Sequence, residues 1–179
     1  MTRAVFLDRD GVLNKAYIRD GKPYSPDTIG EMVIVPDAAA ALARLHGHGF
    51  RLIMATNQPD IARGRLTRAQ VDAMNGYVKS QLPLDGIEMC PHDDADRCDC
   101  RKPKPGMLLR AAAREGLDLS QSYMVGDRYR DIEAGHSASC RTILVGDGYG
   151  ERFKAQPDAT VATLSEAVDW ILKQPVTKD

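Results

Sequence analysis

An uninterrupted apolar run, Ala4-Val5-Phe6-Leu7, passes directly into Asp8-Arg9-Asp10-Gly11-Val12, and the same arrangement recurs along the chain. Arg51-Leu52-Ile53-Met54-Ala55-Thr56 ends in Asn57-Gln58, and Ile87-Glu88-Met89-Cys90 ends in Pro91-His92. Tyr123-Met124-Val125-Gly126 meets Asp127, and Thr142-Ile143-Leu144-Val145 meets Gly146. Short apolar runs bounded by polar and turn residues predict strands buried on both faces. Between them lie stretches of helical character. Asp37 stands as an N-cap ahead of 38–45, with Gly47 and Gly49 placed to stop that helix. Thr67 and Gln70 have capping-box spacing ahead of a helix to about residue 82, in which Val71, Met74 and Val78 share one side. Pro105-Gly106 opens a further helix through Leu108, Leu109 and Ala112. Strands alternating with helices predict an α/β fold, a doubly wound parallel sheet with helices on both faces.

The polar stretch 14–27 reads as loop with a short strand pair, ending near Val33-Ile34-Val35-Pro36. Neither it nor the segment 90–101 is long enough to fold alone, so residues 1–179 are expected to form one domain without a separate cap, and any lid is made of loops. The tail 175–179 is expected to fray. With 24 Lys and Arg against 25 Asp and Glu, the formal net charge is -1, which removes any bulk electrostatic reason to expect nucleic acid or an anionic membrane as partner. Asp8 and Asp10 interrupt the early apolar run, and no stretch approaches the roughly 18 apolar residues of a membrane span. The expectation is a cytoplasmic monomer acting on a small molecule.

In a doubly wound sheet the C-terminal strand ends converge on one crevice. Asp8, Asp10, Thr56, Asn57, Gln58 and Asp127 would meet there, with Arg101 and Lys102 close by. Carboxylates from two strands can hold a hard cation such as Mg²⁺, and a Lys with Thr and backbone N–H groups can hold phosphate oxygens. The combination describes phosphoryl chemistry, although a D-x-D pair taken alone also ends many surface strands. Cys90 and His92, followed by Cys98 and Cys100, supply four ligands that suit a tetrahedral structural Zn²⁺ stapling the loop at about 90–100. Merely packed thiols fit poorly among Asp93, Asp94, Asp96, Arg97 and Asp99. Cys140 lies outside this cluster as a small apolar residue. His46, His48 and His136 read as helix-end residues.

Asp8 to Val12, Thr56-Asn57, Lys102-Pro103-Lys104-Pro105 and 126–131 resemble the four ordered motifs of the haloacid-dehalogenase (HAD) superfamily of phosphatases. Within it, Thr56-Asn57-Gln58, Ile61-Ala62-Arg63-Gly64, Cys90-Pro91-His92, Cys98-Asp99-Cys100-Arg101-Lys102-Pro103 and Pro105-Gly106-Met107 are similar to the D,D-heptose 1,7-bisphosphate phosphatases, with histidinol-phosphate phosphatases as close relatives. The resemblance implies Asp8 as nucleophile, Asp10 as general acid and base, and Mg²⁺ on the side chains of Asp8 and Asp127 and the Asp10 carbonyl. It implies Thr56 and Lys102 as holders of the transferring group; Lys104 competes by spacing, but the family pattern Lys-Pro-x-Pro favours Lys102. Asp131 would brace Lys102 or a metal-bound water, or else serve as an ordinary first-turn helix carboxylate. Arg19, Asn57, Gln58, Arg101 and Arg128 are the candidates to contact the rest of the substrate. The implied reaction is removal of the C7 phosphate from D-glycero-D-manno-heptose 1,7-bisphosphate, supplying heptose for lipopolysaccharide or related glycans. The rivals are a histidinol-phosphate phosphatase and, from another class, a module that binds a phosphometabolite without turnover.

Overall fold

Alternate residues of the first strand enter different cores. In β1 (Arg3–Leu7), Val5 and Leu7 join an apolar cluster with Leu52, Met54, Tyr123 and Val125, whereas Ala4 and Phe6 join a second one with Ile53, Ala55 and Met124. A strand buried on both faces must lie inside a sheet covered on both sides, which is why its sequence is apolar throughout rather than alternating. The computed structural model describes residues 2–175, so all but the first residue of the predicted frayed tail lies outside the described residues.

After β1 the chain forms a small antiparallel hairpin, β2 (Tyr17–Arg19) and β3 (Lys22–Tyr24), which is the predicted short strand pair. Helix α1 (Ala38–Gly47) leads to β4 (Phe50–Asn57), α2 (Arg68–Gln81) to β5 (Gly86–Cys90), and α3 (Gly106–Glu115) to β6 (Tyr123–Gly126). Then follow α4 (Tyr129–Ser137), β7 (Arg141–Val145), β8 (Ala159–Val161) and α5 (Leu164–Lys173). Among the described residues six strands form one sheet in the order β5-β4-β1-β6-β7-β8, each neighbouring pair parallel. The chain fills one side of β1 first and then crosses to the other, so the strand order reverses at the junction of β1 with β6. Ligand crevices form at that junction in open α/β sheets.

Buried residues of α1, α2 and α5 pack into the first core, and Met107, Leu108 and Ala111 of α3 pack into the second. Each fully buried Leu or Met side chain contributes about 1.5–3 kcal/mol. At Thr67 the capping box forms as predicted: its side chain accepts from Gln70 N, and the Gln70 side chain reciprocates. The Asp37 cap does not. Its backbone is left-handed (φ 61°) and its side chain makes no capping bond, whereas a capping side chain typically folds back onto the first turn from an extended backbone. Leu109 faces solvent, 47% exposed, on the outer side of α3. Strand β8 and helix α5 lie beyond the predicted elements, and α4 is the helix that the first-turn reading of Asp131 presupposes.

Candidate active site

Asp8 leaves β1 with its N–H donated to the carbonyl of Val125 on β6, which brings it beside Asp127 at the end of that strand. Carboxylate oxygens of Asp8, Asp127 and Asp131 all lie within 4.8 Å of one another. Two glycines permit this crowding. A Cβ on Gly11 would stand 1.9 Å from Asp127 Oδ2, and one on Gly126 would stand 2.1 Å from Asp131 Cβ. A single ammonium enters the cluster: Lys102 Nζ donates to Asp8 Oδ1 (2.9 Å), Asp131 Oδ1 (2.5 Å) and the Ala55 carbonyl (2.7 Å), and the side chain is 2% exposed. Lys104 instead donates to the Cys98 carbonyl on the surface, so position 102 carries the cation that reaches Asp8. Asp131 takes both of the roles weighed for it, since its Oδ2 also accepts from Arg128 N in the first turn of α4.

Three carboxylates and one ammonium in a buried site leave uncompensated negative charge. Burial, then the Asp131 charge, push the Asp8 carboxyl up to about 7 against the opposing pull of Lys102. Burial, then the Asp8 and Asp131 charges, raise Asp127 well above the ordinary carboxylate range. Asp127 Oδ1 is buried without a hydrogen-bond partner. A divalent cation with oxygen preference answers both the excess charge and this orphaned oxygen.

Asp10 has different surroundings. Arg9, fully buried, grips it with Nε (3.2 Å to Oδ1) and Nη2 (3.0 Å to Oδ2), while Arg9 Nη1 is held by Asn75 Oδ1 on α2 (2.9 Å). Asn14 Nδ2, Ser25 Oγ and Gln58 Nε2 also donate to the Asp10 carboxylate, at 2.9, 2.7 and 3.1 Å. Burial alone would raise this carboxyl, but the Arg9 charge, with hydrogen bonds from Arg9, Asn14 and Ser25, holds it below its ordinary value. Two carboxylates two residues apart are thus driven in opposite directions.

The residues expected to touch substrate divide. Asn57 clamps the Lys102 backbone at both ends, accepting from its N–H and donating to its carbonyl at 3.0 Å each, and also lines the cleft. Gln58 is 1% exposed, and its amide is used on Asp10 and on Thr56 Oγ1 (2.9 Å), so the structure places it behind the site rather than at its surface. Thr56 is equally buried, with that hydroxyl accepting from Gln58. Arg19 is not brought in: it lies on the exposed strand β2 with its guanidinium 5.5 Å from the Tyr24 ring, and it is not itself among the residues lining the cleft. The carboxylate cleft, about 80 Å³, is also lined by Pro23, Tyr24, Ser25, Arg128 and Arg130. An outer cleft of about 290 Å³ shares these five and adds Lys22, Arg63 and Arg101. Arg101 donates to Asp94 (2.8 Å) and to the His92 carbonyl (3.2 Å), and Arg128 pairs with Glu151.

The strand ends also assemble the cysteine cluster. Cys90 closes β5 in register with Asn57 of β4. The three thiols lie 2.9–3.6 Å apart, with His92 Nδ1 3.6 Å from Cys90 Sγ and 3.3 Å from Cys100 Sγ. Four ligands around a zinc ion with Zn–S near 2.3 Å have edges of about 3.8 Å, so the cluster would take an ion by opening slightly, most of all between Cys90 and Cys100. Cys140 is buried apart from it.

Comparison with known proteins agrees with this geometry. A family model described as "HAD-hyrolase-like" matches residues 99–167. The Pseudomonas aeruginosa protein named D-glycero-beta-D-manno-heptose-1,7-bisphosphate 7-phosphatase is 39% identical over 88% of this chain and 89% of its own length. The Escherichia coli protein of the same name is 37% identical over 94% of this chain and 87% of its own length. The crystal structure of D,D-heptose 1,7-bisphosphate phosphatase from B. bronchiseptica, complexed with magnesium and phosphate, superposes with a TM-score of 0.82 at 32% identity, covering 96% of this chain and 99% of that one. The chain belongs to the D-glycero-beta-D-manno-heptose-1,7-bisphosphate 7-phosphatase family, on the HAD fold.

Several members of the site in this heptose bisphosphatase relative were not singled out in the sequence. Arg9 stands between two predicted catalytic residues, yet at the end of a strand nothing tells whether such a side chain turns into the core or out of it. Ser25 and Asn14 come from the loop after β1, whose polar composition carries no register. Arg130 belongs to the fourth motif, and its guanidinium bonds Asp94 (2.9 Å) and the Lys102 carbonyl (3.3 Å). Among the described residues no helix is long and apolar enough to cross a membrane.

Proposed function

We propose that this chain is a phosphatase that removes the C7 phosphate of D-glycero-D-manno-heptose 1,7-bisphosphate, in the cytoplasmic supply of heptose precursors. The observation that carries the reading is the buried Asp8–Asp127–Asp131 cluster with Lys102 at its centre, placed beside an oppositely tuned Asp10. We read residues 1–179 as one catalytic unit. Asp8, whose Oδ1 faces Lys102, attacks phosphorus in line and becomes an aspartyl phosphate. Asp10 protonates the leaving sugar oxygen and then takes a proton from the water that hydrolyses the intermediate. Its present ionised state, with donors from four residues, suits the second duty; the first requires it to give up a donor such as Ser25. Thr56 and Lys102 hold the transferred group as its charge redistributes. Mg²⁺, held by the side chains of Asp8 and Asp127 and by the Asp10 carbonyl, would screen the repulsion between an anionic nucleophile and an anionic phosphate. Asp131 is engaged by Lys102 and Arg128, which assigns it to bracing.

The outer cleft favours a second phosphate over an imidazole with an amine. Lys22, Arg63, Arg101, Arg128 and Arg130 line it against Asp60 and Asp94, and Arg grips phosphate bidentately. Phosphate release should be measured from the heptose bisphosphate, both anomers, and from histidinol phosphate, with Mg²⁺ and with EDTA. The bisphosphate is expected to be preferred and EDTA to silence the reaction; an equal or reversed preference removes this substrate.

Metal binding should depend on pH. A carboxyl raised to about 7 in the fold and near 3.8 when unfolded costs the metal-free protein stability as pH climbs through that window. The cation competes with the same proton. Melting with and without Mg²⁺ is therefore expected to show a larger upward shift at pH 8 than at pH 5.5, and equal shifts would mean that Asp8 is not the titrating ligand.

We further read the Cys90, His92, Cys98 and Cys100 cluster as a structural Zn²⁺ site. Among polar neighbours, the loop has little apolar burial to offset its ordering entropy, and a metal supplies that free energy. The segment runs directly into Arg101 and Lys102. Removing zinc with a strong chelator, followed by Mg²⁺ add-back, is expected to cut the rate about tenfold or more while far-UV circular dichroism keeps its helical signal. Full activity in zinc-free protein would refute a positioning role.

A further inference from the structure

Tyr149 belongs to none of the motifs, yet it reaches the centre of the site. It follows β7 in a turn where its backbone sits at φ 56°, the left-handed region that bulky side chains seldom occupy. In that conformation its phenol points inward, and the hydroxyl donates to Asp127 Oδ2 at 2.7 Å. The Gly11 backbone closes on the same oxygen from another side, since a Cβ there would fall 1.9 Å away. Asp127 is thereby fixed by Oδ2, while Oδ1 is buried without a partner. A second, wider groove also reaches Asp127 and is lined by Tyr149, Gly11, Lys15 and Glu166. Loss of the phenol would leave the carboxylate free to turn toward that groove.

We propose that Tyr149 is a positioning residue for the divalent cation: it pins one oxygen of Asp127 so that the other faces the space shared with Asp8. The proposal rests on the reading of Asp127 as a metal ligand. Partners that orient a ligating carboxylate typically change metal affinity by about 10- to 100-fold when removed. The turn's strained backbone is then the means by which a residue outside the motifs is brought to a ligand.

The test titrates Mn²⁺ into wild type, Y149F, Y149G and D127N, following free Mn²⁺ by electron paramagnetic resonance, and in parallel varies Mg²⁺ in the phosphate-release assay. Y149F and Y149G are expected to bind Mn²⁺ about tenfold more weakly and to need correspondingly more Mg²⁺ for half-maximal rate, with kcat at saturating Mg²⁺ within about threefold of wild type. D127N should lose tight binding altogether. If D127N loses it and Y149F stays within twofold of wild type, the proposal falls while the metal reading stands. Weakening in Y149G alone would trace the effect to the turn instead of the phenol and also overturns it. If D127N binds Mn²⁺ like wild type, both the ligand reading and the proposal fall. A metal-free melting curve for each variant separates misfolding from lost affinity.

Discussion

Asp8→Asn is expected to lower kcat by at least about 10⁴-fold, because an amide cannot attack phosphorus and no neighbouring group replaces it. The same variant should be no less stable than wild type without metal, and this pairing of outcomes is diagnostic. The Asp8 carboxylate sits among Asp127 and Asp131 with a proton affinity raised to about 7, so its charge is a burden on the metal-free fold at neutral pH. Asn keeps the shape and an acceptor for Lys102 while removing that charge. Single-turnover assays with the heptose bisphosphate, together with urea titrations in EDTA, check both halves. A variant that still releases phosphate at a wild-type rate would remove Asp8 as nucleophile, and with it the mechanism. A variant that binds substrate and turns nothing over would separate catalysis from the silent binding module considered at the outset.

Lys102→Met should fail in both respects. The ammonium is 2% exposed and bonded to Asp8, Asp131 and a backbone carbonyl, so its removal strands the buried Asp131 carboxylate and the part-buried one of Asp8. Breaking one side of such a pair costs about 3–5 kcal/mol, and loss of a group that stabilises transferring charge costs about 10²–10³ in rate. Denaturant titration at pH 8 and steady-state kinetics are the measurements. Adding Asp131→Asn should return much of the stability and none of the activity, since the second change removes the stranded charge without restoring a cation. Additive losses in the double variant would show that the two residues do not act as a pair.

The fold was legible because its strands are buried on both faces: apolar runs such as 51–56 admit few other readings, and each ends where the chemistry begins. The Thr67–Gln70 box was legible because both halves of a reciprocal hydrogen bond are written three residues apart. Asp37 shows the limit, since a capping residue type says nothing about whether the backbone before it is extended. Strand β8, three residues at the sheet edge, is too short to carry a pattern. Helix α5 is different: Leu164, Ala167, Val168 and Ile171 have helical spacing behind the Thr163 cap, so it was readable in principle. At the site, motif order located Asp8, Asp10, Lys102 and Asp127. It could not tell that Gln58 turns inward to Asp10, that Arg19 stays out on the hairpin, or that Tyr149 comes in from a distant turn. Those facts are set by side-chain packing between segments far apart in sequence.

The hold of Asn75 on Arg9 reaches beyond the crevice. Arg9 spends its remaining donors on Asp10, so the aim of a carboxylate on one strand loop is referred back to a side chain in the middle of α2. Anyone redesigning that helix for stability or solubility inherits the constraint: its outward positions are open to change, whereas residue 75 is part of the mounting of the chemistry it never meets.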